Sequence, residues 1–92
     1  MNYLTLLRLE HVLERRGRSR AQTYREIHAG FLTPPIRTGN AKIAVWPAHE
    51  INALIRAEIG GANRTEICEL VRELVRQRTA GRPAPTTSAE TA

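Results

Sequence analysis

The chain has 92 residues, and its 14 Lys or Arg against nine Asp or Glu give a formal net charge of +5. This length allows one small domain, and the single cysteine excludes an internal disulfide, so nothing indicates an oxidising compartment. The apolar N-terminal run is too short for a signal sequence or a membrane span. We therefore expect a cytoplasmic protein with no membrane partner.

The positive charge is concentrated in the first half of the sequence. Residues 1–46 contain eight Lys or Arg and three Glu, whereas residues 47–92 contain six of each sign and are neutral. The densest stretch, residues 15–25, has five arginines and no acid. A surface that served solubility alone would not confine its excess charge to one half, and arginine suits bidentate contacts to phosphate and guanine. This distribution favours a nucleic-acid partner over a generically solvated basic face.

Two short helices joined by a tight turn are predicted near the N-terminus. Apolar residues recur at helical spacing over 8–16, and Gly17 follows as a C-terminal stop. Ser19 begins a Ser-Arg-Ala-Gln capping-box pattern, which predicts a second helix over 20–29. Together they form a helix-turn-helix, in which the second helix would be the recognition helix.

A β-hairpin is predicted directly after these helices. The prolines of Thr33-Pro34-Pro35 exclude a helix there. Residues 36–46 then alternate around a turn with Gly39-Asn40 at its tip. A hairpin in this position is a wing, whose side chains would follow the phosphate backbone or enter the minor groove.

Two more helices complete the predicted domain of residues 1–79. Pro47 suits the first turn of a third helix. A fourth, over 64–78, has a broad apolar face that either packs on its own domain or contacts a neighbouring copy or a recombinase. Residues 80–92 have no large apolar side chain and are rich in Pro, Thr and Ala, so we expect a disordered tail.

Several motifs follow one another in a recognisable order. They are R-L-x-x-V-L at 8–13, the Ser19-Arg20 and Tyr24-Arg25 pairs, a hairpin running into Trp46, and a Gly-Gly-x-Asn-x-x-Glu-Ile linker. Over about residues 6–78 the chain resembles the AlpA-like family of phage and mobile-element regulators. The resemblance implies a mainly α fold with a small β-hairpin, namely a MerR-like and excisionase-like winged helix-turn-helix with an added C-terminal helix.

The same resemblance implies a function on DNA. Family members regulate the transcription of integrase genes or act as excisionases, which are recombination directionality factors. The expected partner is double-stranded DNA, on the nucleoid, with self-association along DNA and an integrase or recombinase as further candidates. A protein-binding adaptor or antiactivator that uses the fourth helix without specific DNA binding is the alternative. RNA binding is disfavoured because exposed aromatic residues are few.

The residues expected to contact DNA fall into three groups. Those expected to read bases, since Arg can fork onto guanine and Gln onto adenine, are Arg20, Gln22 and Arg25. Those expected at phosphates near the helix N-terminus are Arg18, Ser19 and Tyr24. Those expected on the wing are Arg37, Thr38, Asn40 and Lys42. Each could instead be a solvated surface residue, and Tyr24 could be half-buried against the wing.

Three positions of the helix-turn-helix remain open between two interpretations, and a fourth departs from the family pattern. Arg15 and Arg16 either complement the dipole of the first helix or bind phosphate. Thr23 and Glu26 stand where the family usually has apolar residues. Thr23, expected to face the first helix, should loosen the packing of the recognition helix. Glu26 either pairs with an arginine or repels phosphate.

No residue pattern indicates catalysis or metal binding. The three histidines lie far apart, and a single cysteine with no aspartate makes a zinc site improbable. There is no nucleophile–base arrangement, no Gly-rich phosphate loop and no carboxylate pair at catalytic spacing. We therefore predict no enzyme activity, no cofactor and no small-molecule substrate. Trp46 and Cys68 are expected to be core residues.

Overall fold

Four helices and a small antiparallel sheet make up this protein in a computed structural model that describes residues 5–39 and 42–80. In chain order the elements are β1 (Leu6–Arg8), α1 (Leu9–Arg16), α2 (Arg20–Ala29), β2 (Ile36–Thr38), β3 (Ile43–Pro47), α3 (Ala48–Ile59) and α4 (Arg64–Ala80). The predicted mainly helical fold with a hairpin between the second and third helices is confirmed. The helix α4 continues to Ala80, so residues 81–92 of the predicted tail lie outside the described residues.

Short-range interactions set three helix boundaries as the sequence predicted, namely the end of α1 and the starts of α2 and α4. Gly17 ends α1 in the left-handed region at φ 68°, where a side chain would be strained. At the start of α2 the Ser19 hydroxyl accepts a hydrogen bond from the Gln22 backbone N–H at 3.1 Å, but the Gln22 side chain donates to Glu26 instead of reaching back, so only half of the predicted capping box forms. Before α4, Asn63 and Glu66 each accept a hydrogen bond from the other's backbone N–H at 2.9 Å, which is a complete capping box.

The sheet has a third strand that the sequence analysis missed. The order is β1-β3-β2, and β1 pairs antiparallel with β3 so that Leu7 lies opposite Trp46. Three residues are too short to show an alternating pattern of their own. The strand forms because the edge of β3 presents unpaired backbone groups and because Leu7 is buried beside the tryptophan.

The core lies between the sheet and the helices. Trp46 is fully buried and its indole N–H donates to the Thr33 carbonyl at 2.9 Å, so its predicted core role is confirmed. The apolar face of α4 packs into the same core through Ile67, Val71 and Leu74. Of the two interpretations of this face, packing on its own domain is therefore the one observed. Cys68 is only half-buried.

An ion pair attaches the end of α4 to the rest of the domain. The Arg78 guanidinium donates to both carboxylate oxygens of Glu50, at 2.7 and 2.8 Å, and to the Pro34 carbonyl at 2.7 Å. Glu50 lies in the first turn of α3 and is fully buried. The contact therefore links α4, α3 and the loop that leads into β2.

Candidate nucleic-acid interface

The helix α2 exposes several polar side chains, one of which, Gln22, donates a hydrogen bond to Glu26 Oε2 at 3.5 Å. Thr23 is fully buried and marks the inward side of the helix. At about 100° per residue, Ala21 and Arg25 lie about 160° around the axis from Thr23. Arg20, Gln22 and Arg25 are all exposed, as the sequence predicted for groove-facing residues. We call these three side chains the α2 face.

Two arginines next to α2 are held by two glutamates in what we call the ion cluster. Arg16 contacts Glu26 at 2.7 Å and Glu58 at 3.3 Å. Arg18 contacts Glu26 at 3.0 Å and Glu58 at 2.8 Å, and also donates to the Arg16 carbonyl at 2.9 Å. The cluster joins the end of α1, the turn, α2 and α3, and its four charges sum to zero.

The protonation states in the ion cluster follow from these contacts. Burial raises the pKa of the Glu26 carboxyl, but the hydrogen bonds and charges of Arg16 and Arg18 outweigh burial and lower it overall. Burial likewise opposes the charged form of Arg18, yet hydrogen bonding and charge from Glu26 and Glu58 raise the pKa of its guanidinium. The pKa shifts of Glu26 and Arg18 therefore both favour the charged form.

The ion cluster decides two of the questions that the sequence left open. Glu26 pairs with arginine. Arg16 is buried, with 1 % of its side chain exposed, so phosphate cannot reach it. Arg18, predicted as a phosphate contact, uses all three guanidinium nitrogens within the protein and is not free as folded. Arg15 remains exposed, with Nη1 at 3.4 Å from the Asn52 side-chain oxygen.

The other predicted phosphate contacts near α2 differ in accessibility. Ser19 is exposed, and its hydroxyl accepts the capping hydrogen bond while its O–H can still donate to a phosphate. Tyr24 is half-buried. Its phenolic O–H is the group of this side chain that could donate to a phosphate.

The β2–β3 hairpin carries the predicted wing residues. Arg37 and Lys42 are exposed and Thr38 is half-buried. The Arg37 guanidinium lies 3.4 Å from the Lys42 carbonyl, so the two cations share the end of the hairpin. Lys42 adopts a positive φ of 52°, as expected at a tight turn. Asn40 lies outside the described residues.

Two residues near this surface were missed from the sequence. His28 is exposed on α2 one turn after Tyr24, and its position on the predicted helix was the only available signal. Glu58 lies 40 residues from Arg18 in the chain, and no local pattern links it to the helix-turn-helix. The described residues contain no cluster of His, Cys, Asp or Glu that could hold a metal ion.

Comparisons with protein-family models, with curated proteins and with solved structures find no match for this chain. None of the described helices is long and apolar enough to cross a membrane.

Proposed function

We propose that this protein binds double-stranded DNA, with the α2 face in the major groove and the β2–β3 hairpin as a wing. The observation that supports the proposal is the set of side chains that α2 exposes. Its outward side presents two arginines and a glutamine, while its only acid, Glu26, is neutralised in the ion cluster. Arginine and glutamine are the side chains that read guanine and adenine edges by bidentate hydrogen bonds.

The exposed cations of this surface predict how strongly DNA affinity should depend on salt concentration. Four exposed cations lie on the α2 face and the wing: Arg20, Arg25, Arg37 and Lys42. If each neutralises one phosphate, the logarithm of the association constant should fall with the logarithm of salt concentration with a slope of about −3.6. This slope is modest, as befits a single small domain with one recognition helix.

The finer role that we propose is that of an excisionase or transcriptional regulator of a phage or integrative element. The resemblance of the Ser19–Arg25 region and Trp46 to AlpA-like proteins supports it, and the helix-turn-helix followed by a hairpin is compatible with a MerR-like winged fold. Self-association on adjacent sites and contact with an integrase belong to the same proposal. The adaptor alternative has less support, because the apolar face of α4 is already buried in the domain core.

Fluorescence anisotropy tests the proposal directly. Duplexes tiling the DNA around the protein's own gene are titrated at two salt concentrations with nonspecific competitor. Tight, salt-sensitive binding to one fragment is the expected result, and weak uniform binding to every fragment would contradict sequence-specific recognition. A recombination junction in the bound fragment would indicate excision, and a promoter would indicate regulation.

A pair of matched variants identifies the surface. Arg25→Ala should weaken binding to the preferred fragment at least tenfold, because it removes a base contact at the centre of the α2 face. Arg72→Ala removes the same charge from an exposed position on α4 and should leave affinity nearly unchanged. Equal losses from both variants would show that binding depends on net charge alone.

A further inference from the structure

Arg18 is the only cation of the ion cluster that an external ligand can reach. Its side chain is 23 % exposed, against 1 % for Arg16. It also lines an open groove of about 440 Å³ whose walls include Phe31 and the exposed Arg64. Glu26 and Glu58 line the same groove, so a phosphate entering it would meet two guanidinium groups and the two carboxylates to which Arg18 is already bound.

The carboxylate of Glu58, on α3, holds Arg18 away from such a phosphate. Glu58 Oε2 accepts the Arg18 Nη2 hydrogen bond at 2.8 Å, the shortest that this guanidinium makes. A carboxylate offers the guanidinium fork the same type of charged oxygen acceptor as a phosphate does. Glu58 and DNA would therefore compete for the same donor.

We propose that Glu58 is an affinity-limiting residue of the DNA interface, because it holds the Arg18 guanidinium away from phosphate. Phosphate contacts increase affinity for every sequence alike, whereas base contacts distinguish sequences. Keeping one accessible arginine neutralised therefore lowers the affinity for preferred and arbitrary duplexes by the same factor. This inference rests on the proposed function.

Glu58, rather than Glu26, is the residue whose removal tests the idea. Glu26 bonds both arginines through separate oxygens and is 15 % exposed, so its loss would leave the buried Arg16 poorly compensated. Glu58 uses a single oxygen for both arginines and is 31 % exposed. Glu58→Gln keeps the shape and an acceptor oxygen while giving the cluster one uncompensated positive charge.

Salt titrations of Glu58→Gln on the preferred duplex and on a scrambled duplex of equal length measure the effect. The slope should steepen by about 0.9. Between 1 M and 0.1 M salt, the affinity of Glu58→Gln for the scrambled duplex should therefore rise about eightfold more than that of the wild type. The ratio of affinities for the two duplexes should stay the same. Glu14→Gln, an exposed position on α1, changes the net charge equally and should leave the slope unchanged.

A second variant attributes the effect to Arg18. Arg18→Gln combined with Glu58→Gln should return the slope to the wild-type value. Arg18→Gln alone should leave the slope unchanged, and this second comparison remains valid even where Glu58→Gln folds poorly. A wild-type protein without salt-dependent DNA binding would overturn both this inference and the proposed function. A wild type that binds while Glu58→Gln matches Glu14→Gln would overturn this inference alone.

Discussion

Arg78→Met is expected to destabilise the fold strongly, although Arg78 is the third residue from the end of the described chain. The Glu50 carboxylate has no exposed surface, and both its oxygens accept hydrogen bonds from Arg78. Methionine retains most of the aliphatic stem but provides no donor. The variant therefore leaves an unpaired carboxylate in the core, between the first turn of α3 and the end of α4.

The magnitude follows from the burial of the two partners. Breaking a buried ion pair by removing one partner costs about 3–5 kcal/mol. Arg78 is 18 % exposed, so water can enter beside Glu50 in the variant, and we expect about 3 kcal/mol. A domain of about 75 residues has a free energy of unfolding of roughly 4–11 kcal/mol, and each kcal/mol shifts the Tm by about 4–8 °C. The Tm should fall by about 12–24 °C.

Thermal and urea unfolding followed by circular dichroism measure this change. Arg76→Met is the control, since Arg76 pairs with Glu73 on the exposed side of α4, where solvent screens the pair, and its loss should leave the Tm nearly unchanged. Glu50→Leu combined with Arg78→Met removes the charge together with its partner and should recover most of the lost stability. Equal melting of the Arg78→Met and Arg76→Met variants would refute the reasoning.

Three further outcomes are expected. Thr23→Val should raise the free energy of unfolding by about 1 kcal/mol in urea titrations, because the buried Thr23 hydroxyl has no hydrogen-bond partner; a loss of stability would show that the hydroxyl is satisfied. Glu26 has a folded pKa below its usual 4.5, so its stabilisation is complete above that pH and is lost as the pH falls through the lowered value. The gap in Tm between wild type and Glu26→Gln should therefore narrow from pH 7 to pH 3, and a constant gap would contradict this assignment. Gln22→Ala should change sequence preference more than affinity, whereas Lys42→Ala should weaken binding to all duplexes equally; equal losses for Gln22→Ala on preferred and scrambled duplexes would exclude base reading by this residue.

Local sequence determined the features whose interactions join residues only a few positions apart in the chain. Gly17 ends α1 through its own backbone conformation, and Asn63 and Glu66 cap α4 across three positions. The exposure of Arg25 follows from helical periodicity, because Arg25 lies about 160° around the helix axis from the inward Thr23. These features were predictable because helix caps and helix faces depend on spacing along the chain.

Tertiary structure alone decided which arginines are free. The stretch from Arg15 to Arg25 is uniformly basic in sequence, yet folding brings Glu58 to Arg18 across 40 residues and neutralises part of it. It also pairs Leu7 with Trp46, which creates a strand that three residues could not specify by themselves. Both contacts depend on how α3 and β3 pack against the N-terminal elements, and the energies of long-range packing and ion pairing leave no periodic trace in the sequence.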